Sequence, residues 1–477
     1  MKNNSSLIKY DYLRRLNVTC DLLRVALSSG AQTLPELVAN WPQIKAELIK
    51  EHDEEYVQHL FELVFPEVAE ALLNPKHLQP TIKFAIALKK YVLDLGKYLD
   101  EGKPVVYNWP TFTPEVWYAM GVVPVFPFEA FAGLLSGLYT DGLEAENDEA
   151  EKQGFAFHIC SFTKGPIKAI EVGKLPKPDL IIKNSSPCDS SNLNYQYAAY
   201  VNKCPLLILD SPYYTNQRAL KYYVQNVREM LEEGQKITGM KLDVDKLRYH
   251  CEISNRQMKY MYGLQRLRKE VPCPDPGMMR FLDFGTLVLC GHSDLVPAYL
   301  EQRYKEVKER HERGETFLPP GKKEIRTLWS WGWVANMFYL PHWLEETFGS
   351  TYMECQLSYL PEDITGFVDT TNLDTMLEGL ARRSMNFVMH RTAMSDSDIW
   401  VNDFVTIARS HKVDVAIFGG NRACKHAWTL CKILSDALQE QLGIPTLVWE
   451  HDVCDKRFMP HSKIKELLTE FFTTVAQ

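Results

Sequence analysis

The sequence predicts an α/β fold: two open domains on parallel sheets, a helical section between them, and a helical region ahead of both. Three observations predict it. From about Pro104, short and almost wholly apolar runs alternate with helical ones, as strands do when crossover helices cover both faces of a sheet. Near residue 217 the alternation gives way to long amphipathic periodicity, and it resumes near 321. The first hundred residues carry helical periodicity and no strand signal. These changes set boundaries at 1–103, 104–216, 217–320 and 321–477.

In the N-terminal region, TLPELVANWPQIKAELIKEH and YVQHLFELVFPEVAEALL repeat apolar residues at three and four, with Pro42, Pro66, Pro75 and Pro80 as punctuation. The first α/β region offers the strands PVVYNW (104–109), VVPVF (122–126), FAFHIC (155–160), DLIIKN (179–184) and PLLILD (205–210). Helix candidates lie near Pro114–Met120, Pro166–Val172 and Ser191–Val201. In the helical section, Gln217–Ile237 puts Leu220, Val224, Val227 and Leu231 on one face. Asp243 is placed to cap the next helix, which runs to about Lys269. PCPDPG (272–277) breaks the chain before helix resumes to about Arg313. The last region offers strands at 324–333, 351–359, 413–420 and 444–450. Helices are expected over Met337–Phe348, Leu373–Met389, Asp398–His411, His426–Leu442 and His461–Phe471, with Ser395 and Asp398 spaced as a capping box.

Composition narrows the function. Hydrophobic residues at 45% and charged residues at 24% exclude a mostly disordered chain. A net charge of −8 argues against a general nucleic-acid binder. No apolar run reaches the ~18 residues that cross a bilayer. The start, MKNNSSLIKYDYLRRLNV, lacks the apolar segment of a signal peptide. The expectation is a cytoplasmic protein without a membrane partner, whose eleven cysteines are thiols or metal ligands rather than disulfides.

There is no CxxC pair, HExxH, P-loop or GxGxxG opening a helix. Position is more informative, because ligands of open α/β sheets sit beyond the carboxyl ends of strands. Cys160 ends FAFHIC, Cys188 follows DLIIKN in SSPCDSS, and Cys424 follows VDVAIFGG in NRACKHAW. Each stands where a helix begins, and a helix N-terminus favours the thiolate. Taken singly, a cysteine is most simply core. Three at equivalent strand ends suggest a shared iron–sulfur cradle that leaves one iron free. Cys454 competes at the same face, whereas Cys20, Cys251, Cys355 and Cys431 read as core.

Four stretches carry a family likeness: TFTPEVWYAMGVVPVF (111–126), HICSFTKGPIKA (158–169), PDLIIKNSSPCDSSN with PLLILDSPYY, and DVAIFGGNRACKHAW with GIPTLVWEHDVCDKRF. With them the chain resembles the 2-hydroxyacyl-CoA dehydratase and benzoyl-CoA reductase subunits. The resemblance implies two Rossmann-like domains with a [4Fe-4S] cluster held by Cys160, Cys188 and Cys424. It also implies an acyl-CoA substrate, a homologous second subunit, an ATP-dependent iron–sulfur activator and oxygen-sensitive radical chemistry. Such an enzyme is a lyase when it dehydrates a 2-hydroxyacyl-CoA through a ketyl radical, or an oxidoreductase when it reduces an aromatic ring.

Glu129 lies near a position where the family places a carboxylate, although a glutamate opening an apolar helix can also simply stabilise its N-terminus; the resemblance puts substrate contacts near Asn108, Trp109 and Thr111. The loop YNWPT departs from the small polar pattern of substrate-binding subunits, so a non-catalytic partner subunit with a structural or electron-relay cluster is the alternative. Trp109 and Pro110 would favour a flat aromatic acyl group. Lys164, Lys168, Arg218, Lys221, Arg422 and Lys425 are candidate partners for the CoA phosphates. WSWGWVANMFYLPHW (329–343) offers aromatic walls, although most of its residues are expected to be packing.

Overall fold

A computed structural model describes residues 5–109, 114–123, 128–289, 291–387 and 389–474. Its strands form two parallel sheets. The first has the order β1 (Val106–Asn108), β2 (Leu180–Asn184), β3 (Leu206–Leu209). The second comprises β4 (Ile325–Trp329), β5 (Ser350–Cys355), β6 (Val415–Asn421) and β7 (Thr446–His451) in the order β5-β4-β6-β7. Central strands β2 and β6 are buried along their whole length, which explains their unbroken apolar runs. In the second sheet the strand order reverses between β4 and β6, so a crevice opens at their carboxyl ends.

FAFHIC is not a strand. Its residues turn instead, with Phe155 N–H donating to Ala150 O and Ile159 N–H to Ala156 O. Phe157 and His158 face solvent, so the apolar letters do not mark a buried sheet position. Of VVPVF, Val122 and Val123 are not strand, and 124–126 lie outside the described residues. The Ser395–Asp398 capping box does not form either. Asp396 is the N-cap of helix Ser397–Ser410, and the Ser395 hydroxyl donates back to Arg391 O.

The helical section follows its periodicity. Helix Gln217–Thr238 buries Leu220, Val227 and Leu231, and the Asp243 carboxylate accepts from the N–H groups of Asp245 and Lys246 at the head of Val244–Leu267. The N-terminal helices share one continuous core with both sheets: Leu13, Leu60 and Tyr91 belong with Trp329, Ile417 and Phe472. Arg15 makes a bidentate pair with Asp141 (2.8 and 2.7 Å). A short bridge joins Val64 to Tyr139, just past the end of helix Phe128–Leu138.

Candidate functional site

The carboxyl ends of both sheets face one cavity of about 390 Å³. Trp109 follows β1, Cys188 follows β2, Trp331 follows β4, Gln356 follows β5, Cys424 follows β6, and His451 ends β7. Cys160 reaches the same cavity from the turn that replaces the expected strand.

All three cysteines are N-caps. Cys160 precedes helix Ser161–Glu171, Cys188 precedes Asp189–Asn202, and Cys424 precedes Lys425–Leu442. The sulfur of Cys188 accepts the N–H of Ser191 at 3.4 Å, and that of Cys160 accepts Asn421 Nδ2–H at 3.3 Å. Burial pushes the Cys424 thiol up to about 12 and the Cys160 thiol higher still, outweighing the helix-terminus effect. Without a compensating positive centre these two sulfurs stay protonated. Among the described residues, no three His, Cys, Asp or Glu side chains converge tightly enough for a single metal ion. Three thiols spread around a cavity instead match a group larger than one ion, and thiolates are the ligands of iron–sulfur clusters.

Beside the cysteines lies a second constellation. Glu129 is buried, and its Oε2 accepts the Tyr195 hydroxyl at 2.8 Å while Oε1 has no partner among the described residues. Burial lifts its carboxyl to about 8, against the opposing pull of Tyr195 and Lys183. The Trp109 ring meets Tyr195 edge-on at 5.5 Å, and its Nε1–H has no partner among the described residues. Asn108 is buried in β1 and is not part of the cavity wall; Thr111 and Pro110 lie outside the described residues.

The basic candidates divide. Arg422 is spent on Asp452 (2.9 Å) and Phe157 O (3.1 Å), stacks over Phe458, and does not line the cavity. Lys164 and Lys168 are buried and paired with Glu151 and Glu171, so they are not surface charges. Lys425 stands exposed at the mouth, 3.1 Å from Asp189. Arg218 and Lys221 are exposed. Of the aromatic run, Trp331 and Trp333 line the cavity, while Trp329 and Tyr339 are packed in the core. Cys454 is buried away from the cavity wall, its N–H donating to Ser161 Oγ and Asp452 Oδ1.

Sequence reasoning missed Tyr195, Lys183, Gln356 and His451. Lys183 did leave a signal: it is a charged residue inside the apolar strand DLIIKN, a conflict that marks functional sites. His451 is buried with both ring nitrogens unpartnered, and nothing in its local sequence marks it.

The chain is similar to known proteins over most of its length. The model of the family described as 2-hydroxyglutaryl-CoA dehydratase, D-component, matches residues 110–473. The alpha subunit of (R)-phenyllactyl-CoA dehydratase from Clostridium sporogenes is 22% identical over 369 residues, 75% of this chain and 86% of that protein. The alpha subunit of (R)-2-hydroxyglutaryl-CoA dehydratase from Acidaminococcus fermentans is 23% identical over 59% of this chain and 57% of its own. A benzoyl-CoA reductase subunit from Thauera aromatica is 20% identical over 69% of this chain and 79% of its own.

Proposed function

Because the chain belongs to the 2-hydroxyglutaryl-CoA dehydratase D-component family, we propose that it is the iron–sulfur subunit of a CoA-ester enzyme of the (R)-2-hydroxyacyl-CoA dehydratase or benzoyl-CoA reductase type. It works with a homologous second subunit and takes electrons from an ATP-dependent activator. The relatives are themselves named as subunits of larger enzymes, which supports a partner.

One observation carries the reading: three N-cap cysteines, from segments far apart in sequence, line a single cavity. Cys160, Cys188 and Cys424 would hold a [4Fe-4S] cluster, which when bound supplies low-potential single electrons and an iron without a protein ligand.

The chain's own residues do the rest. Glu129 lines the cavity and holds or accepts a substrate proton there, with Oε2 fixed by Tyr195. Trp109, Trp331 and Trp333 exclude water and give the acyl group flat walls. From the family likeness Thr111 supplies a polar contact to the thioester, whereas Asn108, buried in β1 and outside the cavity wall, does not reach it. Lys425, with Arg218 and Lys221, receives the CoA phosphates. Arg422 acts from behind, tying the Cys424 loop to Asp452 and Phe157.

Anaerobic purification with iron and acid-labile sulfide analysis tests this. The chain is expected to carry both in equal amounts. Cys160→Ala, Cys188→Ala or Cys424→Ala should abolish the cluster's absorbance and paramagnetic signal, and Cys251→Ala should not. A chain that takes up no iron under these conditions refutes the proposal. A loaded chain that binds no acyl-CoA is the electron-relay subunit.

A further inference from the structure

Lys183 is a lysine in the middle of the first sheet. It is buried in β2, where neighbouring positions are leucine, isoleucine and asparagine. A buried ammonium is costly unless its donors are used and its charge is met. Its Nζ donates to Ser186 O at 2.6 Å and, more closely, to Asn184 O. It also lies over the Trp109 ring, 4.3 Å from the centroid, and 5.9 Å from that of Tyr195. The two carbonyls belong to the turn that carries the chain from β2 to Cys188. The groups that face the ammonium electrostatically are Cys188, Glu129 and His390.

We propose that Lys183 is a positioning residue of the cysteine site: its ammonium, stacked on Trp109, clamps the Asn184–Ser186 turn that aims Cys188 and places a positive charge behind the sulfur ligands. The inference rests on the reading of the three cysteines as cluster ligands. It goes beyond that reading by assigning a role to a residue that touches neither sulfur nor substrate.

The geometry has two consequences. The clamp acts on one ligand loop only, because Cys160 and Cys424 are set by other segments. The charge acts on the group those sulfurs hold, since a nearby cation stabilises the more negative, reduced form. Burial pulls the ammonium down to about 7, while Cys188 and Glu129 hold it up. A neutral aliphatic side chain of similar length removes the donors and the charge together.

The test compares wild type, Lys183→Met and Lys183→Gln as full chains. In the iron-free protein, hydrogen exchange at the amides of Ser186 and Cys188 should quicken at least ~10-fold in Lys183→Met, with the amides that follow Cys424 unchanged. In the reconstituted protein, the one-electron midpoint potential should fall tenfold in equilibrium constant, about 59 mV. Lys183→Gln keeps N–H donors without charge. It should show the same fall in potential with a smaller change in exchange, and it decides the matter if the methionine variant does not fold. Unchanged exchange at Ser186 and Cys188, exchange quickened equally everywhere, or an unchanged potential each overturns the proposal. If wild type takes up no iron, the cluster reading fails, and the exchange measurement alone still decides whether Lys183 clamps the turn.

Discussion

Glu129 has a carboxyl that burial holds protonated up to about pH 8. In its proposed role as a base it works only when ionised, so turnover should rise with pH and level off above ~8. Glu129→Gln should remove that limb and cost roughly 10²–10⁴ in rate. A pH–rate profile of both forms checks this. Stability runs the other way. The folded pKa lies above the unfolded value of 4.5, so the folded state binds more protons between the two, and wild type loses stability as pH rises through that window. Thermal melts at pH 8.5 should therefore find Glu129→Gln the more stable form. Trp109 makes a different prediction. One side of its ring is occupied by Lys183, and the side chain borders the cavity. Stacking of an aryl group there is worth ~1 kcal/mol. Anaerobic titrations should show Trp109→Ala weakening aryl-CoA several-fold more than short aliphatic acyl-CoA, and equal losses would remove the aromatic wall from the account. Glu129 and Trp109 were both singled out from the family likeness, and both line the cavity. Their partners Tyr195 and Lys183 were not, because a tyrosine on a helix and a lysine on a strand acquire meaning only when β1, β2 and the helix after Cys188 are brought together.

At the scale of elements, the double glycine ending VDVAIFGG shows how a strand can be shaped for its neighbours. Trp428, from the helix that Cys424 caps, lies against Gly420, and Trp449 of β7 lies against Gly419, so close that a Cβ would sit 2.6 Å from the Trp449 ring. Gly420→Ala would push Trp428 and its helix away, at a cost of about 1–3 kcal/mol. Denaturant melts should register the loss, and alkylation of Cys424 should quicken relative to Cys188. Each strand from β1 to β7 overlaps a run that the sequence marked, because large apolar residues dominate these segments, with Lys183 and Arg326 as buried exceptions. FAFHIC misled because phenylalanine, alanine and isoleucine also serve a turn that skirts a cavity mouth. Cys160 was therefore selected by an argument about strand ends, yet it reaches the cavity as a helix cap. The failed capping box has a similar cause: the helix starts at Ser397, after Asp396, so Ser395 sits too early to cap it.

At the scale of the whole molecule, a buried charge network lies where the helical section meets the second sheet. Arg268 and Arg280 contact Glu354 (3.3 and 3.2 Å), and Arg303 contacts Asp275 and Asp283 (2.7 and 3.0 Å). Burial alone would raise the Glu354 carboxyl, but the two guanidinium groups hold it at about 2. Its folded pKa lies below the unfolded value of 4.5, so its contribution is complete above that value and is lost as pH falls toward 2. Glu354→Ala leaves two arginines without their counter-charge and should cost about 3–5 kcal/mol. Chemical denaturation at pH 7 checks the magnitude, and repeating it at pH 3 should show the gap narrowing. None of this was visible beforehand. PCPDPG read as a break, and Arg268, Arg280 and Arg303 drew no assignment, because sequence periodicity cannot say which charged residues meet across two regions.

The three N-cap cysteines also set a timetable for biosynthesis. Cys160 and Cys188 leave the ribosome more than two hundred residues before Cys424. At ~5–20 residues per second that interval is on the order of ten to fifty seconds. The closing helix, His461–Thr474, which packs Phe472 into the shared core, comes later still. A group held by all three sulfurs, as proposed above, can be inserted only after Cys424 has emerged. Until then two thiols wait without their third companion, and the nascent protein depends on surroundings reducing enough to keep them from oxidising.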